Sequence, residues 1–265
     1  MMYNAKESTI NICGTQFAYI SFGNGKKPLV MIQGLSTRGI RGTALSLAYM
    51  YRIFAREYTV YLFERRPVVK EGITVRDMAS DIAAAMDALG IQAADVLGVS
   101  QGGMIAQYLA IDRPDLVRKL VLAVTLSRNN DTVCQVVNNW IRTAESGAMK
   151  EFIADMAEKM YSDDYINRYR LFMPLLTFLQ KPKDVRRFVI LAKACLSCNT
   201  YEMLDKIECP VLVIGGRKDK IVTAHASEEI AAKLGCKIYM YDHLGHAAYE
   251  EAKNFNQVIY DFLAT

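Results

Sequence analysis

The sequence predicts an α/β protein whose mostly parallel central sheet carries helices on both faces. Three observations predict it. Between Asp95 and Val124 a buried strand, a helix and a second strand follow one another. The same alternation returns from Val211 to Leu263. Between Ser127 and roughly Cys209 strands disappear and helical periodicity takes over, which predicts an insertion. Buried strands that alternate with helices need crossovers, and crossovers put helices on the faces of a parallel sheet. The expected organisation is an α/β core of residues 1–126 and 207–265, interrupted by a helical cap of residues 127–206.

Taken in order, the apolar runs Phe17–Ile20, Leu29–Ile32 and Val60–Phe63 read as strands, the first closed by a turn cluster from Gly23 to Pro28. From Val75 to Leu89, the residues Met78, Ile82, Ala85, Met86 and Leu89 recur at three- and four-residue spacing before Gly90, which predicts a helix. Asp95–Val99 is a strand, Gln101–Asp112 a helix ended by Pro114, and Lys119–Val124 a strand. In the insertion Trp140, Ala144, Ala148, Phe152, Met156 and Met160 follow four-residue steps. Val185, Phe188, Val189, Ala192, Cys195 and Leu196 do so in a later helix, and an aromatic stretch from Tyr165 to Phe178 surrounds Pro174. Most of these methionines and aromatics are expected to pack cap against core, with some touching a ligand. Val211–Ile214, Ala226–Leu234, Lys237–Tyr241 and Asn254–Leu263 complete the chain as strand, helix, strand and helix.

Composition narrows the function classes. At 265 residues, 52% hydrophobic and 23% charged, the chain matches an ordinary globular protein able to bury a large interior. The net charge of +4, from 32 basic and 28 acidic residues scattered along the chain, gives nucleic-acid binding little support. No apolar run approaches the roughly 18 to 20 residues of a membrane helix, and Met1–Gly14 lacks a basic region followed by an apolar one. A cytoplasmic location and a small-molecule substrate are the expectations. The six cysteines lack the spacing of a disulfide framework. Cys195 and Cys198 form a CxxC with no second ligand pair nearby, and read as small apolar residues on a helix. Neither a metal nor an organic cofactor is expected.

The sharpest signal is Gly98-Val99-Ser100-Gln101-Gly102, between a strand and a helix. With 16 glycines in the chain, a GxSxG arises by chance only about 0.04 times. A serine on so tight a turn exposes its hydroxyl, and glycines two residues away let strand and helix approach. The hydroxyl needs a base, and the base an orienting acid. Three histidines are available. His246, on the loop after the last strand and preceded by Gly245, is favoured over His243; His225 falls where a helix begins. Asp219, in Gly215-Gly216-Arg217-Lys218-Asp219 beyond a buried strand, is favoured over Asp242 and Asp205 as the acid. It places serine, aspartate and histidine in the chain order this architecture uses. The backbone N–H of Gln101, and that of Leu35 in Gln33-Gly34-Leu35, are the expected donors to an oxyanion.

These residues resemble the α/β-hydrolase superfamily over nearly the whole chain. Asp81–Val124, with Gly98–Gln107 and Pro114-Asp115-Leu116-Val117, is similar to its nucleophile strand, elbow and following helix, and Val211–His246 to its acid and histidine segments. The resemblance implies the α/β-hydrolase fold, a triad, an oxyanion hole and membership among small capped hydrolases. These include carboxylesterases, enol-lactonases, carbon-carbon bond hydrolases and cofactor-free haloperoxidases. Gln33 stands where the family usually has histidine, and Glu64-Arg65-Arg66-Pro67 replaces its Asp-x-Arg-Gly.

The expected activity is hydrolysis of a small to medium hydrophobic ester or related acyl compound through an acyl-Ser100. Serine at the elbow argues against dehalogenase and epoxide hydrolase chemistry, which place aspartate there. The alternatives are cleavage of a diketone or an enol-lactone by the same serine and, in a different class, a ligand-binding or scaffolding protein. A diketone cleaver should offer polar partners for a second carbonyl and a carboxylate. Arg38 and Arg41 could favour an anionic group, although solvated arginines are the plainer reading.

Overall fold

The computed structural model describes residues 2–171 and 181–265. Eight strands form one sheet: β1 (Lys6–Ile12), β2 (Thr15–Phe22), β3 (Lys27–Ile32), β4 (Tyr58–Phe63), β5 (Ala94–Val99), β6 (Val117–Ala123), β7 (Val211–Gly216) and β8 (Lys237–Tyr241). Their spatial order is β1-β2-β4-β3-β5-β6-β7-β8. β1 and β2 pair antiparallel, as do β2 and β4, and every pairing from β4 across to β8 is parallel. The α-helices among the described residues are α1 (Ala44–Met50), α2 (Val75–Ala88), α3 (Gln101–Asp112), α4 (Asp131–Glu145), α5 (Met149–Met160), α6 (Asp163–Tyr169), α7 (Val185–Cys195), α8 (Ala224–Leu234), α9 (Ala248–Glu251) and α10 (Phe255–Ala264).

The period of two along each strand divides the core between the faces. Val30, Ile32, Val96, Leu120, Leu122 and Val213 share one cluster with α2, α3 and α8. Leu29, Met31, Leu97, Val121, Leu212 and Ile214 share the other with Ala44 and Ala48 of α1 and with Phe255, Ile259 and Leu263 of α10. Both clusters draw on consecutive residues of the same strands, which is why β5 and β7 are buried at every position. No described helix is long and apolar enough to cross a membrane.

Local chemistry sets several boundaries. Thr74 caps α2 in a reciprocal capping box with Asp77, and Asn130 and Asp184 cap α4 and α7 through side-chain oxygens. Helices α4 to α7 all lie between β6 and β7 in the chain. Ala247 of the loop after β8 donates its N–H to the Met160 carbonyl at 2.8 Å, tying the end of α5 to that loop.

The structure corrects some of the sequence reading. Lys6–Ile12 is a strand that the apolar pattern does not reveal: it lies at the sheet edge, and none of its residues is buried. Pro28 belongs to β3 rather than to the turn. It pairs only with Thr59 on the β4 side, because pairing to β5 begins at Leu29, so its missing N–H breaks no two-sided ladder. The four-residue steps from Trp140 to Met160 run through two helices, broken at Gly147, whose φ is 76°. Of the aromatic stretch, Tyr165 and Tyr169 lie on α6, and residues 172–178 fall outside the described residues.

Candidate functional site

Ser100 joins β5 to α3 with φ 54° and ψ −120°, a conformation that L-residues rarely adopt. The surroundings enforce it. Its N–H donates to the Ala123 carbonyl at 2.9 Å, and its carbonyl accepts from Gly103 N–H at 2.8 Å and Thr125 Oγ1 at 2.7 Å. The flanking glycines are required by contact: a Cβ on Gly98 would lie 2.5 Å from the Gly102 carbonyl oxygen, and one on Gly102 only 1.9 Å from that of Ile32. Helix α3 can therefore press onto β3 and β5 only without side chains at these two positions.

His246 lies on the loop after β8, 3% exposed. Its Nδ1 is 2.8 Å from Asp219 Oδ2, and its Nε2 is 2.9 Å from Ser100 Oγ. A carboxylate only accepts, so Nδ1 carries the proton and Nε2 is left to accept from the serine hydroxyl. Asp219 follows β7. Its other oxygen accepts from the N–H groups of Ile221 and Val222 at 2.8 and 3.0 Å, which stops the carboxylate from rotating. The two loops are tied together, since Arg217 N–H donates to the Tyr241 carbonyl at 2.9 Å and Lys218 N–H to that of Leu244 at 3.0 Å.

The other sequence candidates lie apart from this chain of hydrogen bonds. His225 is on α8; Asp242 is 3.8 Å from Arg217 and 77% exposed; Asp205 pairs with Lys233 at 2.8 Å. His243 is exposed. Cys195 ends α7 with a buried thiol that meets Gln101 Nε2 at 3.1 Å, and Cys198 follows that helix. Burial pushes their pKa values up to about 11 and about 12, so both stay as thiols. Among the described residues no cluster of three histidine, cysteine or acidic side chains is suited to a metal.

The loop Gln33–Thr37 runs past Ser100, and a Cβ on Gly34 would come within 3.2 Å of the Ser100 Cβ. Among the described residues neither the Leu35 nor the Gln101 N–H has a protein acceptor. Where the family pattern has histidine, Gln33 is held instead by its carbonyl, which accepts from Arg65 Nη2 at 2.6 Å. The sequence marked Glu64-Arg65-Arg66-Pro67 only as a departure and did not single out Arg65; a buried arginine in that segment has no periodic signature.

Three chambers meet at this loop. One is lined by Ser100, His246 and Leu35 together with Val137, Trp140 and Met156, and is chiefly apolar. A second shares Leu35, Met156, Met160 and Tyr249 with it and extends to Leu47, Met50 and Tyr51. The third, the polar chamber, is so named for the charged and polar residues among its lining, including Gln33, Arg65 and Gln101. Trp140 is fixed in the first by its Nε1–H, which donates to Asp155 at 2.7 Å.

Residues 27–165 match the family model described as alpha/beta hydrolase fold. The chain is 27% identical over 264 residues to the 2-hydroxy-6-oxononadienedioate/2-hydroxy-6-oxononatrienedioate hydrolase of Paraburkholderia xenovorans (strain LB400), covering 94% of this chain and 91% of that one. It is 29% identical over 206 residues to the pimeloyl-acyl-carrier-protein methyl ester esterase of Neisseria meningitidis serogroup B, covering 69% and 75%. The enol-lactonase from Burkholderia xenovorans LB400 shares its fold, with a TM-score of 0.85, 21% identity and coverage of 97% and 100%. The chain belongs to the alpha/beta hydrolase fold family and is a hydrolase of that fold.

Proposed function

We propose that this hydrolase cleaves a small to medium hydrophobic carboxylic ester, or a related acyl compound, with Ser100 as nucleophile, His246 as base and Asp219 as the orienting acid. The observation that carries this reading is the continuous hydrogen-bonded line from Asp219 through His246 to Ser100, opening into an apolar chamber. His246 Nε2 takes the hydroxyl proton as Ser100 Oγ attacks the acyl carbon. Negative charge then grows on the carbonyl oxygen, where the N–H groups of Gln101 and Leu35 receive it. Asp219 stabilises the imidazolium, which returns its proton to the leaving alkoxide. Water repeats the sequence on the acyl-enzyme and releases the acid. Residues 127–206 act as the cap that supplies the apolar wall through Val137, Trp140 and Met156.

A second reading, cleavage of a carbon-carbon bond or an enol-lactone by the same serine, is favoured by one observation. The polar chamber beside the loop offers partners for a further carbonyl or carboxylate. The test of the shared mechanism is incubation of wild type and Ser100→Ala with a fluorophosphonate, read by intact mass. One adduct on wild type alone is expected; an unmodified wild type would overturn the assignment. Turnover of p-nitrophenyl esters against a vinylogous diketone then separates the two readings.

A further inference from the structure

The polar chamber carries more positive charge than the proposed ester chemistry needs. Arg38, Arg65, Lys183 and Arg187 line it against Glu64 and Asp184, a surplus of two positive charges. Arg187 is already engaged: it donates to the Arg66 and Pro67 carbonyls at 2.7 and 3.0 Å and sits 3.6 Å from Glu64. Arg38 and Lys183 are exposed at the mouth, and among the described residues neither has an ion-pair partner.

Arg65 is the unusual member. It is 6% exposed, and beyond the single bond from Nη2 to Gln33 its Nε and Nη1 have no hydrogen-bond partner. Burial lowers its pKa to about 10, which still leaves it charged at neutral pH. Holding a carbonyl in place takes one neutral donor, whereas a buried guanidinium with two unpaired nitrogens is costly unless an anion compensates it. The charge of Glu64 offsets part of that cost, but it makes no hydrogen bond to the guanidinium, since its oxygens accept from the Ile40 and Arg65 N–H groups at 2.7 and 2.9 Å and face Arg187. The chamber is lined by Gln33, Gly34 and Gln101, and Gln101 follows Ser100 in the chain, so a substrate whose acyl carbon meets Ser100 can extend toward it.

We propose that the polar chamber is the subsite for a carboxylate carried by the substrate, and that Arg65 selects it. This rests on Ser100 being the nucleophile. Arg65 lines the chamber with its Nε and Nη1 closed off from solvent, so they act on the anion through a field that the low dielectric strengthens, and the exposed Arg38 and Lys183 add to the attraction. The sequence paired Arg38 with Arg41, but Arg41 lines a separate depression with Glu7 and Tyr19. The substrate class is thereby narrowed to monoesters, or equivalent acyl compounds, bearing a second, free carboxylate.

The test compares monomethyl esters of the dicarboxylic acids from succinic to suberic with methyl esters of monocarboxylic acids of matched length. Wild type should show kcat/KM at least about ten-fold higher for an anionic ester than for its neutral match. Arg65→Met also releases the Gln33 carbonyl and should slow both esters, so the readout is the anionic-to-neutral ratio of kcat/KM, which should fall to within about two-fold of one. The double variant Arg38→Ala/Lys183→Ala, altered only at exposed positions, should reduce the preference and shows the effect even if Arg65→Met does not fold. A wild-type preference for neutral esters at every length, or a preference intact in both variants, would overturn the subsite. Where neither ester turns over, free dicarboxylates should slow fluorophosphonate labelling of wild type and not of Arg65→Met; no protection would also overturn it. A labelled enzyme without anion preference sinks only the subsite, whereas an unlabelled one sinks the serine assignment.

Discussion

The two ends of the sheet each bury an aspartate, and they treat it differently. At the carboxyl end Asp219, 8% exposed, accepts from two backbone N–H groups and an imidazole. At the amino end Asp95, fully buried near the start of β5, pairs with Arg118 Nη2 at 2.5 Å and faces the Tyr58 hydroxyl, which has no other partner. Desolvation raises the Asp95 pKa despite the arginine. One carboxylate is held by dipoles and a neutral ring, and so can stabilise a cation that appears during reaction. The other is already neutralised by a permanent cation. Burial alone therefore does not decide what an aspartate can do; its partners do.

The largest effect expected from this contrast is on Asp219. Under the proposed mechanism Asp219→Asn keeps the shape but turns His246 to the wrong tautomer, and kcat should fall about 10⁴-fold with KM nearly unchanged. Stopped assays on a short p-nitrophenyl ester would measure it, and a loss below ten-fold would erase the distinction between the two ends. Next is Leu35→Pro, which removes one proposed oxyanion donor; kcat should drop about 10² to 10³-fold, with the melting temperature as control for distortion.

Arg118→Leu probes the other end, and should destabilise the fold by about 2 kcal/mol at neutral pH while leaving kcat within about two-fold. The sign of its pH dependence follows from the raised Asp95 pKa. A folded state that holds this proton more tightly than the unfolded chain is favoured at low pH and loses that advantage as pH rises past the ordinary carboxylate range. Without the arginine the Asp95 pKa rises further, so the deficit should shrink on acidification toward pH 4, as urea titrations would show. The smallest effect expected is that of Met156→Ala, at neither end of the sheet. It widens two chambers at once and should shift preference toward longer acyl groups by about ten-fold in KM, sparing kcat for short esters.

Much of this molecule is legible in its sequence because the signals are local. Helix α3 runs from Gln101 to Asp112 and β8 from Lys237 to Tyr241, as their apolar patterns predict. The Gly98–Gly102 spacing announces a strained serine turn because only glycines admit the contacts there. What failed to show was non-periodic or exposed: edge strand β1, and the break at Gly147 inside an uninterrupted four-residue rhythm.

The sequence by itself determined the alternation of buried strands and helices, the turn that carries Ser100 and the family, since these depend on spacing within a few residues. The sequence favoured Asp219 and His246, but only the tertiary structure brought His246 against Ser100 and Asp219 behind His246, because Ser100 and His246 are 146 positions apart. It alone brought Arg65 under the Gln33 carbonyl, 32 positions away, and divided the space around Gly34 into apolar and polar chambers. Chemistry of this kind lives in contacts between distant segments, which no local pattern encodes.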